Sequence, residues 1–124
     1  MTYLTLKSIA SSGYLRKLEF IKQTAEQLSK DFELFGFVIS FSGNAVTAYE
    51  ELYNQLLPII TKLSVTNYPK LLQLLYRIDI NEGIIATAVK EEQGVLENVL
   101  TRLIIYRELQ KVLFRDYFKN GGQL

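Results

Sequence analysis

Two stretches of the chain carry the same apolar ladder: Leu18, Ile21, Ala25, Leu28, Phe32, Phe35, and then Val46, Tyr49, Tyr53, Leu56, Ile60, Leu63. The steps alternate between three and four residues, the spacing that lines one side of a helix and seals it against a neighbour. The expectation is an all-α fold in which the two ladders pair as one half of a helical bundle. At 124 residues the chain suits a single domain, long enough to bury roughly two thirds of its unfolded surface.

The first ladder lies within residues 15–35, with Glu19, Lys22, Glu26, Lys30 and Glu33 on its other faces, and Gly36 is placed to stop it. Residues 37–41 (FVISF) have strand propensity. Their one candidate partner is Tyr3 to Lys7, and so small a ribbon would be marginal, so an irregular connection over the bundle end is preferred. Asn44 suits an N-cap for the second helix. The apolar spacing runs unbroken through Pro58, whose missing N–H and ring clash cost about 3 kcal/mol in a regular helix. A kinked helix over about residues 45–64 is therefore predicted.

Pro69 fits the first turn of a third helix. Asp79-Ile80-Asn81-Glu82 has the form of a capping box, which predicts a break near Asp79 and a restart through Glu92. Gly94 ends that segment, and a last helix follows from about Val95 to Phe118, with Leu96, Val99, Leu103, Tyr106, Gln110, Leu113 and Tyr117 along its seam. Residues 1–13 and 119–124 are expected to be frayed or irregular. The predicted architecture is an up-down-up-down four-helix bundle, kinked near Pro58 and with its third helix broken near Asp79.

Composition removes several chemistries. With no cysteine and no histidine, thiolate nucleophiles, cysteine-ligated metals and imidazole general bases are all excluded. A bundle di-metal site would need inward Glu-x-x-His motifs, which are absent. The adjacent pairs Glu50/Glu51 and Glu91/Glu92 diverge by about 100° on a helix and read as solvated faces. Tyr3 and Lys7 match a Tyr-x-x-x-Lys spacing, but no glycine-rich dinucleotide loop accompanies them. No metal, cofactor or catalytic residue is assigned, and a non-enzyme is expected. The longest uncharged run, Leu34 to Tyr49, is too interrupted to span a bilayer, and no signal-peptide core is visible. A cytoplasmic protein is expected.

Charge is polarised along the chain. Residues 100–124 hold five basic and two acidic side chains, whereas residues 44–99 hold four basic and seven acidic. Arg107, Lys111, Arg115 and Lys119 recur every four residues as a basic ridge, which reads either as a solvated face suited to a helix C-terminus or as a strip for nucleic acid or an acidic ligand. Arg77 and Asp79 interrupt the most apolar segment and need partners elsewhere. Packing of the third helix on the last would pair Arg77 with Glu108 and Asp79 with Arg107, contacts that fix helix register.

The segments LLYRIDINE, within residues 72–82, and LIIYRELQKVLFR (103–115) resemble short signatures in small all-helical proteins of bacteria of the Bacteroidetes type. That resemblance implies a bacterial cytoplasmic origin and no particular activity, and no functional residue is carried over from it. The leading functional expectation is action through protein contacts, self-association included, because eight tyrosines and seven phenylalanines exceed what one bundle core absorbs. Tyr14, Phe37, Phe41, Tyr68 and Phe118 are the candidates for such an interface. The alternative is nucleic-acid or acidic-ligand binding on the basic ridge.

Overall fold

Leu103, Ile104 and Ile105 are consecutive and all buried. Neighbours on a helix diverge by about 100°, so the helix that carries them is enclosed over more than half its circumference. That helix is the last of five in the computed structural model, which describes residues 17–92 and 94–119. In chain order they are α1 (Leu18–Glu33), α2 (Ala48–Thr66), α3 (Tyr68–Arg77), α4 (Glu82–Glu92) and α5 (Leu96–Lys119), and no strand occurs among the described residues. The sequence readings at Tyr3, Lys7, Tyr14 and the two chain ends lie outside the described residues.

The two ladder helices do not pair as the spacing suggested. α1 and α2 each pack principally on α5, and α2 also lies against α3. An apolar stripe specifies which face is buried but not which helix covers it. Here α5, with ten buried residues, takes the central position, and Ile21, Leu28, Phe32, Leu52, Leu56, Ile60 and Ile104 are fully enclosed in one core.

Local chemistry explains the boundaries. α1 closes at Gly36, whose φ of +89° lets its N–H reach Glu33 O while Phe37 N–H reaches Phe32 O, both at 3.0 Å. This is the paired closure that glycine favours at a helix end. Residues 37–42 then run irregularly, with Ile39 buried and the Phe37 ring 5.0 Å beneath Lys70 Nζ.

Side chains of α2 take the place of a partner strand for this segment. Ser40 N–H donates to Gln55 Oε1 at 2.9 Å, and Gln55 Nε2 donates to Ser40 O at 2.7 Å. One turn earlier, Glu51 accepts from Ser42 N–H, Ser42 Oγ and Thr47 Oγ1. The Ser42 and Thr47 hydroxyls hold the Glu51 carboxyl below its ordinary range, so it is a loop anchor and not the idle solvated carboxylate expected. Asn44 accepts from Val46 N–H at 3.0 Å in an Asx turn, which moves the helix start to Ala48. α2 continues through Pro58 to Thr66, with Leu56 and Ile60 buried on either side.

Asn67 caps α3 by accepting from Lys70 N–H, and Pro69 sits in its first turn. The break at Asp79 is present but its chemistry differs from the capping box predicted. Ile80 N–H reaches back to Leu75 O at 2.9 Å and Asp79 N–H to Tyr76 O at 3.1 Å, so Asp79 closes α3 with a φ of +66°. Asn81 caps α4 instead, accepting from Ile84 N–H at 2.9 Å. The left-handed conformation burdens a residue with a Cβ, and an acidic group is unfavourable at a helix C-terminus. Asp79→Gly is therefore expected to raise stability by about 0.5–1 kcal/mol. An upward shift of the urea midpoint with unchanged slope is the check.

Candidate functional site

Two polar assemblies flank α5. The first is internal and begins on α1. Asp31 and Glu108 are 1% and 0% exposed, and charges so enclosed require partners or protons. Arg77 of α3 donates through Nε to Asp31 Oδ1 at 3.0 Å. Gln27 donates to both Asp31 oxygens at 3.3 Å, and Lys111 Nζ lies 3.9 Å from Oδ2. The same ammonium stands 2.6 Å from Glu108 Oε1, at an angle too oblique to give that oxygen a directed hydrogen bond.

Burial, and next the neighbouring Asp31, push the Glu108 carboxyl up to about 8 against the pull of Lys111. Burial would raise Asp31 as well, but hydrogen bonds with Glu108, Arg77 and Gln27 outweigh it and hold Asp31 below its ordinary value. At neutral pH the pair therefore shares one proton, carried by Glu108 and offered to ionised Asp31. The cluster links α1, α3 and α5.

This corrects the pairing expected from sequence. Arg77 does meet an acid from another helix, but that acid is Asp31, and Glu108 lies beside Asp31 on its far side. Asp79 makes no ion pair among the described residues. Arg107 instead donates through Nη1 to Gln110 Oε1 at 2.6 Å, and its Nε is buried without a partner. Asp31 was legible in principle: Ile21, Thr24, Leu28, Asp31 and Phe35 form a three-four ladder of their own, with Asp31 on the inward stripe.

The basic ridge is divided by the same packing. Arg107 is half-buried and Lys111 turns inward, while Arg115 and Lys119 face solvent. Of the expected interface aromatics, Phe37 and Phe41 pack against the core, whereas Tyr68 and Phe118 are exposed. Tyr76 is exposed as well.

The second assembly opens to solvent between α4 and α5. Of the residues of α4 only Ala88 is buried, and the helix stands away from α5 enough to leave a cleft of about 940 Å³. Ile84, Ala88 and Leu103 supply apolar walls, and Thr87, Glu91, Glu92, Arg102 and Tyr106 bring polar groups to it. Arg102 Nε donates to Glu92 Oε1 at 2.9 Å, joining the two helices across one end. Behind Tyr106, the Tyr49 ring stacks at 5.7 Å and the Tyr53 ring follows at 5.8 Å from Tyr49. Burial first, and then Tyr106, push the Tyr49 phenol well above its ordinary value, so it stays neutral.

The cleft holds one guanidinium, two carboxylates and one phenol, with no paired nucleophile and base. Among the described residues no group of three acidic side chains is placed to hold a metal ion, and no helix is long and apolar enough to cross a membrane. The apolar walls of the cleft can accept a ligand body and its few charged groups can orient it. Comparison of the chain with protein-family models, with curated proteins and with solved structures found no match.

Proposed function

We propose that the protein is a non-catalytic binding module, a four-helix bundle with its third helix split into α3 and α4, and that the α4–α5 cleft is its binding site. The observation that carries this reading is the cleft itself. A volume of about 940 Å³ lies within the range of small-molecule pockets, and apolar walls with a few convergent polar groups are the usual lining. The weak attachment of α4 supports it further, since a helix with one buried residue can shift to admit a ligand at little cost.

Thr87 is exposed and lines the cleft, so a larger side chain there fills the space without entering the core. Phenethyl alcohol at millimolar concentration is expected to shift the amide resonances of Ala88, Leu103 and Tyr106 in the wild type. In Thr87→Trp those shifts should disappear while the remaining spectrum is retained. Probe shifts confined to other residues, or unchanged in Thr87→Trp, overturn the reading.

Contact with a protein partner, or with a second copy of the chain, is the other reading. Its support is the exposure of Val65 and Tyr68 at the α2–α3 corner and of Tyr76 near the far end of α3, since aromatic side chains favour an interface.

A further inference from the structure

We infer that the occupant of the α4–α5 cleft carries an organic ammonium group on an aromatic or other apolar body, an inference that rests on the cleft being the binding site. The charged groups lining the cleft are Glu91, Glu92 and Arg102. Arg102 and Glu92 neutralise each other at 2.9 Å, and Glu91 has no ion-pair partner among the described residues. A bound ligand therefore meets one uncompensated negative charge. The remaining charged residues of the segment 79–92, Asp79 and Glu82 against Lys90, add a further net negative charge in the same stretch of chain.

Tyr106 supplies the complementary element. It lines the cleft and is stacked on Tyr49, which fixes its ring in place. A phenol ring lining the same cleft as the Glu91 carboxylate favours a cation through its quadrupole and disfavours an anion. A carboxylate ligand has no such welcome, because the Arg102 charge it would share is already offset by Glu92 and its own charge adds to that of Glu91. Ile84, Ala88 and Leu103 then receive the apolar body of the ligand.

Three probes of nearly equal shape isolate the charge: phenethylamine, phenethyl alcohol and hydrocinnamate, titrated into the wild-type protein and followed by amide shifts at Ala88, Leu103 and Tyr106. The amine is expected to bind roughly five- to ten-fold more tightly than the alcohol, with hydrocinnamate weakest. Glu91→Gln should weaken the amine several-fold more than the alcohol, leaving the smaller preference that the Tyr106 ring supplies, and added salt should weaken the amine more than the alcohol. Equal binding of amine and alcohol in the cleft, or tighter binding of hydrocinnamate, overturns the inference while leaving the cleft as the binding site. Failure of all three probes to move cleft resonances overturns both.

Discussion

Asp31→Ala is expected to lower the free energy of unfolding at neutral pH by about 2–3 kcal/mol. The substitution removes the one ionised acid on which Arg77 and Lys111 converge, and it removes the acceptor for the Glu108 proton. Loss of one member of a fully buried pair costs more, but half of the Arg77 side chain is exposed and water recovers part of its solvation. A second compensation comes from Glu108. Without Asp31 beside it, its carboxyl is freer to ionise and to pair with Lys111, so its proton should leave at lower pH in the variant. Urea unfolding gives the stability loss, and the carboxyl carbon shift of Glu108 against pH gives the proton. A loss below about 0.5 kcal/mol would place Asp31 among ordinary surface acids and remove the cluster from the account of how α1 is held.

Glu108→Gln has the opposite sign. The folded protein holds the Glu108 proton up to about pH 8, whereas the ordinary value is 4.5, so between those two values the folded state carries a proton that the unfolded state has released. Stability contributed by that proton is complete at the acid end of the window and falls as pH rises through it. Glutamine keeps the shape and an N–H donor toward Asp31 but has nothing to ionise. Wild type and Glu108→Gln are therefore expected to be nearly equal in stability at about pH 5. Near pH 8.5 the variant should be the more stable by about 2 kcal/mol, below the several kcal/mol that the whole displacement would imply, because relaxation and water entry soften it. Denaturation across this pH range is the check, and parallel curves for the two proteins would refute the proton assignment. Asp31, held below its ordinary value, acts at the other extreme, and its contribution is lost as acid protonates it.

These effects show where sequence reading stops. Gly36, Pro69 and Gly94 were legible as boundaries because turn and cap chemistry is local and each residue type has few conformational uses. The tetrapeptide at Asp79 was ambiguous, since the same residues can start a helix or close one. The decision fell to Ile80, which is buried and whose N–H turns back to Leu75. Glu108 is legible as an acid that could meet Arg77, whereas its neighbour Asp31 is masked by the broader hydrophobic ladder of α1 that surrounds it. The cleft was invisible for a different reason. Glu91, Arg102 and Tyr106 are spread over two helices, and no periodicity in either reveals how far apart those helices stand. Glu51 and Gln55 make the same point at the 37–42 segment, where helix side chains supply hydrogen bonds that the sequence offers to a strand.

The central position of α5 also bears on how the chain reaches its fold. The apolar stripes of α1 and α2 are made before α5, the helix that covers them, which is separated from α1 by most of the described chain. Closing so long a segment costs entropy before any contact rewards it, which slows folding relative to a bundle of successive hairpins. Until α5 emerges, Phe32, Leu52, Leu56 and Ile60 lack the helix that covers them in the folded protein, and unburied apolar surface of this kind favours aggregation.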